Sequence, residues 1–234
     1  MRAYRSLARR LSAVVITSMF VTQYAAGAEL GWELLAAKSV GKGVSCAENT
    51  TQLANAGQEV ALFFTNMNVD MPANANVGTN LQFGTCYVFL KFTVPQGYSI
   101  SSNQSGVIGG VTKDIGTSGY IDVVSTITRQ PANPEKPFVG LVPFGPLNHM
   151  FKAFNGLTAV NNPLFELTKS RSLTKHDKKV VCRLTKDGPT DLGMFIQISI
   201  AGTRKNSSKT NIIAIDNFDN KVGLGLKADL CPGV

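Results

Sequence analysis

Apolar and polar residues alternate with a period of two through much of the chain, a pattern that predicts β-strands. The clearest run begins at Cys86 and stops before Pro95 and Gly97. One face of this run carries Cys86, Val88, Leu90, Phe92 and Val94, and the other carries Tyr87, Phe89, Lys91 and Thr93. Pro95 cannot donate a ladder hydrogen bond and Gly97 permits a turn, so the strand is expected to end there. We expect its Val88 side to form an inner wall of the fold, with Tyr87 and Phe89 partly covered on the other side.

Weaker strand patterns cover 59–69, 107–111, 120–129, 192–201, 210–215 and 222–230. The strands near 107–111 and 120–129 flank a turn rich in Gly, Ser and Thr, which predicts a hairpin or meander. Polar residues in 48–58 predict a loop, and 29–43 is either a helical turn or an edge strand. In Leu147–Phe154, the spacing of the apolar residues predicts two helical turns, packed across an open end of the fold or, alternatively, lying over a ligand.

These short strands, with turns between them and no long helix, predict an all-β protein. The specific expectation is a single antiparallel, jelly-roll-like β-sandwich of about eight strands. No shift in composition marks a linker, so residues 29–234 are predicted to form one domain.

The first 28 residues have the layout of a secretory signal peptide. Four arginines precede an apolar run from Leu11 to about Tyr24, and Ala26-Gly27-Ala28 offers a small-residue cleavage site. This run is shorter than the roughly 20 residues that a spanning helix needs. Without the four arginines, the chain keeps 19 basic and 15 acidic residues, so its net charge falls from +8 to +4. We therefore expect a secreted or periplasmic protein without a later transmembrane segment, and the case for nucleic-acid binding weakens.

All four cysteines lie after this segment, and an oxidising compartment favours disulfides. Three pairings are possible. We favour Cys46–Cys86 with Cys182–Cys231, because each bond then closes a loop within one half of the chain. No two cysteines lie within a few residues of each other, so their spacing does not indicate a zinc site.

The order of these features resembles the domain-of-unknown-function 4360 family of exported proteins. The resemblance rests on an early cysteine, on the Cys86 strand running into Val94-Pro95-Gln96-Gly97-Tyr98, and on a third cysteine at Cys182 before a regular strand. It continues through Ser208-Lys209-Thr210 and an Asp-containing turn to a last strand that closes on Cys231. The chain departs from the family pattern after Cys46, where Ala47-Glu48 stands in place of Pro and Gly, and it lacks a tryptophan before Cys231. The resemblance implies export and a disulfide-bonded β fold, and it implies no activity.

Candidate catalytic groups are few. Two histidines, His149 and His176, are the available bases, and no Gly-x-Ser-x-Gly motif accompanies them. Asp216 and Asp219 fall in a predicted turn and are candidate calcium ligands, although the spacing of an EF-hand is missing. The sequence predicts no catalytic residue and no cofactor.

One charge feature stands out, a basic stretch from 168 to 186 that is predicted to be a solvated loop. Its candidate ligand-binding residues are Lys169, Arg171, Lys175, Lys178 and Lys179. Such charges suit an anionic surface polymer or lipid headgroups, and without interleaved aromatic residues they do not indicate specific nucleic-acid binding. The sequence thus favours an exported, non-catalytic binding or cell-envelope interaction protein. The alternatives are an exported polymer hydrolase and a structural subunit of a surface assembly, and the oligomeric state stays open.

Overall fold

The computed structural model describes residues 28–42, 46, 51–64, 67–74, 80–215 and 221–232. The predicted signal peptide lies outside the described residues, apart from Ala28. The described chain forms twelve strands and one helix. In chain order these are β1 Gly31–Lys42, β2 Thr51–Ala56, β3 Glu59–Phe64, β4 Asn68–Met71, β5 Leu81–Val94, β6 Tyr98–Lys113, β7 Thr117–Thr128, β8 Pro143–Phe154, β9 Val160–Ser172, α1 Lys175–Leu184, β10 Thr190–Arg204, β11 Asn211–Ala214 and β12 Lys221–Leu230. None of the described helices is long and apolar enough to cross a bilayer.

The strands form two antiparallel sheets that pack as a sandwich, which confirms the predicted fold class. The five-stranded sheet has the order β1-β5-β10-β7-β8. The seven-stranded sheet has the order β2-β3-β12-β6-β11-β4, and β9 pairs with the other side of β6. At the level where β12 pairs with β6, the strands therefore run β2-β3-β12-β6-β9.

The core lies between the sheets and consists of the inward half of each alternating strand. On β5, Val88, Leu90 and Phe92 are fully buried, as the pattern predicted. On β12 the buried residues are Val222, Leu224, Leu226 and Ala228. Burying a valine, leucine or phenylalanine side chain stabilises a fold by about 1.5–3 kcal/mol, so these two strands contribute strongly to holding the sheets together.

Both favoured disulfides are confirmed. Cys46 bonds Cys86 on β5, and Cys182 in α1 bonds Cys231 directly after β12, each with a Cα–Cα distance of 5.7 Å. The second bond fixes the helix to the end of a core strand.

The predicted hairpin of the glycine-rich strands is wrong. β6 and β7 follow each other in the chain, but β6 lies in the seven-stranded sheet and β7 in the five-stranded sheet. The turn between them crosses the sandwich, with Gly116 at φ 86° and its N–H donating to the Gly156 carbonyl. Alternation identifies a strand but not its partner. Two amphipathic strands that follow each other in the chain show the same alternation whether they pair in one sheet or face each other across the core.

Two elements that were predicted as helix or loop are strands. Leu147–Phe154 belongs to β8, where Asn148 and Met150 are buried while Leu147, His149 and Phe151 are exposed, a period of two rather than 3.6. Its backbone pairs with β7, and this ladder overrides the helical spacing. The predicted loop 48–58 contains β2, which returns on β3 through a turn where Gly57 has φ 62°. Together with the short β4, these strands raise the count above the predicted eight.

The basic stretch is not a loop. Its first part ends β9, and most of its remainder forms α1. The Thr174 hydroxyl accepts a hydrogen bond from the Asp177 N–H, and the Asp177 carboxylate accepts one from the Thr174 N–H, a capping box that starts the helix.

Candidate binding groove

A groove crosses the outer face of the seven-stranded sheet. Along β3, Val60, Leu62 and Phe64 point into the core, so Glu59, Ala61 and Phe63 face outward. The groove has a volume of about 300 Å³ and receives residues from β2, β3, β12, β6 and β9. Five strands at the usual spacing of about 4.8 Å span roughly 19 Å, enough for an extended ligand lying across them.

The register of the strands places a row of small residues along the middle of this groove. Ala54 pairs with Ala61, Ala61 with Gly223, Gly223 with Gly106, and Gly106 with Thr168. This row, the groove floor, consists of Ala54, Ala61, Gly223, Gly106 and Thr168. Because these side chains are short or absent, the middle of the sheet face is lower than its two flanks.

The flanks differ in chemistry. On one side Ile108 pairs with Glu166, and Phe63 lies on the same side of the floor row. On the other side Gly225 pairs with both Glu59 and Gln104. The flanks thus combine an aromatic ring, an aliphatic side chain, two carboxylates and one amide.

The glycine at the centre of the floor has no packing role. A Cβ placed on Gly223 would meet nothing within 4 Å, and one on Gly225 or Gly106 would make only ordinary contacts of 3.5–3.7 Å. Glycine weakens a strand interior, and one of its common uses there is to let another molecule approach the backbone closely. The sandwich would accept side chains at these positions, so the open floor is not required by the fold.

The five predicted ligand-binding residues are spread over two elements and lie outside the groove lining. Lys169 is on β9, where its ammonium donates a hydrogen bond to the His149 carbonyl at 2.9 Å and so links β9 to β8. Arg171 is exposed near the end of the same strand. On α1, Lys175 and Lys179 are exposed, while Lys178 is half-buried.

Two other sets of candidate residues can be placed only in part. Asp216 and Asp219 lie outside the described residues. Within the described ranges, no group of three or more metal-ligating side chains comes together. His149 Nε2 lies 2.6 Å from Asp122 Oδ1 on the exposed face of the five-stranded sheet, whereas His176 is exposed on α1.

Sequence reasoning missed the groove, although part of the signal was visible. In Val222-Gly223-Leu224-Gly225-Leu226, the apolar residues mark the inner face, and the outer face at this level is all glycine. The neighbours that complete the floor come from β2, β3, β6 and β9, and only the strand register brings them together.

No protein-family model and no curated protein matches this chain. Among solved structures, the enzymatically active domain of bacteriophage CBA120 tailspike protein 4 aligns over 86% of this chain but 19% of its own, at 8% identity and a TM-score of 0.29. TmCBM61 in complex with β-1,4-galactotriose aligns over 83% of this chain and 88% of its own, at 7% identity and a TM-score of 0.20. A family 11 carbohydrate-binding module from Clostridium thermocellum, in complex with a β-1,3-1,4-mixed-linked tetrasaccharide, aligns over 84% and 89%, at 11% identity and a TM-score of 0.20. Likeness at this level carries no information on what this chain binds.

Proposed function

We propose that this chain is a non-catalytic binding protein that holds an extended, uncharged polysaccharide in the groove of the seven-stranded sheet. The observation that carries the proposal is the groove floor. Gly223 and its neighbours leave a trough across five strands at positions where the fold has room for side chains.

The lining suits a sugar polymer. Pyranose rings present apolar C–H faces, which pack on an aromatic ring such as Phe63 and on the aliphatic Ile108. Their hydroxyls donate hydrogen bonds to carboxylates and amides, here those of Glu59, Glu166 and Gln104. The exposed Glu166 carboxylate would repel a polyanion, so the groove favours a neutral chain over the anionic ligand that the basic stretch suggested.

An extended peptide fits this groove less well. Each peptide unit brings an N–H and a C=O that need partners, and the usual source of partners is an unpaired sheet edge. The central strands of the floor are paired on both sides, with β12 between β3 and β6. A polysaccharide needs only side-chain partners, which the groove supplies.

Export and family membership are further proposals. The two disulfides support an oxidising compartment, secreted or periplasmic, and agree with the signal-like first 28 residues. The resemblance to the domain-of-unknown-function 4360 family is consistent with the same location. The hydrolase alternative now has one specific contact, the His149–Asp122 pair, but that pair lies on the opposite sheet from the groove.

Affinity electrophoresis tests the proposed function directly. The purified protein is run through native gels that contain a soluble β-glucan, galactan or xylan, and at least one of these polymers should retard it. Gly223→Phe fills the trough and should abolish retardation. The matched control is Gly188→Phe, because a Cβ at Gly188 also meets nothing within 4 Å but lies in the turn after α1.

The control should migrate like the wild type. Lack of retardation of the wild type in all three gels would contradict the proposal, and so would equal retardation of wild type and Gly223→Phe. Circular dichroism melting of both variants shows whether a loss of retardation reflects unfolding instead.

A further inference from the structure

The helix α1 presents a row of cations on a rigid support. Its first turn is capped by Thr174 and Asp177, and Val181 is fully buried beneath it. The Ser99 hydroxyl donates to the Lys178 carbonyl at 3.0 Å, and the Thr185 hydroxyl donates to the Tyr98 carbonyl at 2.8 Å. With the disulfide at Cys182, these contacts hold the helix on the end of the sandwich. A ligand on its outer side would meet side chains on a fixed backbone.

Three cations line one exposed side of α1. Lys175, Lys179 and Arg183 follow each other at intervals of four residues and are all exposed, with His176 beside them. Consecutive cations are therefore about 6 Å apart along the helix axis. We call Lys175, Lys179 and Arg183 the cationic row. Lys169 and Lys178 do not belong to it, because Lys169 bonds to the His149 carbonyl and Lys178 is half-buried.

The row is not neutralised within the part of the chain that the structure describes. The carboxylates of Glu33, Asp122 and Asp229 are engaged elsewhere, with Lys91, His149 and Lys227 respectively. The acidic residue of the helix, Asp177, is turned towards Thr174 by the capping box. Asp187 is exposed in the turn after the helix and marks one end of the basic surface. Three unpaired like charges so close together raise each other's energy, and a counter-charge would relieve this repulsion.

We propose that the cationic row binds a linear polyanion that carries phosphate or sulfate groups along its length. The row matches such a polymer because its charges repeat along a line at about 6 Å, and successive anionic groups can each meet one cation. A bilayer surface is a poorer match, because Val181 is buried and Val180 half-buried. The exposed apolar residue of α1, Leu184, lies about 100° to 180° around the helix axis from the three cations, so it cannot insert on their side. The site is independent of the groove and does not rest on the polysaccharide proposal.

Binding to long-chain inorganic polyphosphate tests this inference. The dissociation constant is measured by titration at several NaCl concentrations from about 50 to 200 mM. In the test variant, Lys175, Lys179 and Arg183 are all changed to Gln. In the matched control, Lys136, Lys152 and Lys205, which are exposed elsewhere on the molecule, are changed to Gln. Both variants lose three positive charges, so they differ only in where the charges were.

The wild type should bind, with a dissociation constant that rises steeply with salt. The test variant should bind at least about ten-fold more weakly and reduce the log–log salt slope by about 2, because each phosphate contact contributes roughly 0.7–0.9 to that slope in nucleic acids. The control should change by less than about two-fold. Equal weakening of both variants would show attraction by net charge alone and would overturn the proposal, as would absence of binding at 50 mM NaCl. Binding to phosphatidylglycerol vesicles without binding to polyphosphate would assign the row to a membrane surface instead.

Discussion

The outer face of the five-stranded sheet is covered by a segment of the chain, whereas the outer face of the seven-stranded sheet carries an open groove. On the five-stranded sheet, segment 129–142 folds back over the strands, and Phe138 contacts both Phe89 and Tyr87 edge-on at 5.1–5.2 Å. Phe89 on this outer face is only 1% exposed, and a second small core forms around it. On the seven-stranded sheet, the groove stays open and Phe63 is half-buried.

Glycine shows the same difference. On the outer face of the five-stranded sheet, a Cβ at Gly193 would overlap the Thr128 hydroxyl and the Gln130 carbonyl. Gly193 is therefore required by close packing. Gly223 meets nothing, so its missing side chain serves no contact within the protein. The contrast indicates that the five-stranded face is built for stability and that the groove face is available for a ligand.

The largest expected effect comes from shortening matched aromatic residues on the two faces. Phe89→Ala should lower the free energy of unfolding by about 3–5 kcal/mol, because it leaves a cavity between Phe138 and Phe195. Phe63→Ala removes a ring that is already half in solvent and should cost roughly 1 kcal/mol, while it weakens polysaccharide binding. Urea unfolding gives both values. Equal costs at the two positions would contradict the contrast between the faces.

Adding a methyl group tests the same contrast from the other direction. Gly193→Ala should destabilise the protein by about 1–3 kcal/mol, because the backbone around Gln130 and Pro131 must move. Gly223→Ala should leave stability unchanged or raise it by up to about 1 kcal/mol, since the unfolded chain loses freedom and the folded chain loses nothing. Gly193→Ala should therefore lower the melting temperature, whereas Gly223→Ala should leave it unchanged or raise it. A large loss at Gly223 would mean that the floor is needed for packing.

A smaller effect is expected from the groove carboxylates. Glu166→Gln keeps the shape of the exposed side chain but replaces one acceptor oxygen with a donor, so binding of the polymer found by affinity electrophoresis should weaken by about five- to ten-fold, roughly 1–1.4 kcal/mol. Its melting temperature should not change. The control is Glu135→Gln, an exposed carboxylate in segment 129–142 on the other face. If Glu135→Gln weakens polymer binding and Glu166→Gln does not, the binding surface lies on the five-stranded sheet instead.

The inward side of β6 carries a buried lysine, and the contribution of this residue to stability should depend on pH. Lys113 is buried at the end of β6, and its ammonium donates hydrogen bonds to the Thr117 and Thr158 carbonyls. Desolvation lowers its pKa below the usual 10.5, and the nearby Asp114 carboxylate partly opposes this shift.

The unfolded state then binds more protons than the folded state between the two pKa values. The stability of the wild type relative to Lys113→Met should therefore rise as pH increases from the folded-state pKa towards 10.5. Denaturant unfolding of both proteins between pH 7 and 10 measures this difference, and a constant difference would show that Lys113 titrates normally.

Parts of the fold were accessible from sequence for clear physical reasons. β5, β10 and β12 were recognisable because every second residue is apolar where one of their faces is buried in the core. The favoured disulfides were also correct. By contrast, β6 and β7 were paired wrongly and β8 was read as helix, because the apolar pattern records burial and does not record which strand donates the hydrogen bonds.

The candidate site was less accessible than the fold. Its floor joins residues from position 54 to position 223, and these meet only through the register of five strands. The basic stretch could be found as a run of charge. Its division into a structural Lys169, a half-buried Lys178 and an exposed row depends on where β9 ends and α1 begins. Charge in a sequence thus locates basic residues without showing which of them are free to bind.

The central claim is that the open floor of the seven-stranded sheet is the binding surface. Its most direct test is nuclear magnetic resonance of the 15N-labelled protein, titrated with an oligosaccharide of whichever neutral polymer retards it in gels. The account predicts that the amide signals of Gly106, Gly223 and Gly225 shift together and saturate with one dissociation constant, while those of Gly119 and Gly193 on the other sheet stay in place. Shifts confined to the five-stranded sheet or to α1 would contradict it.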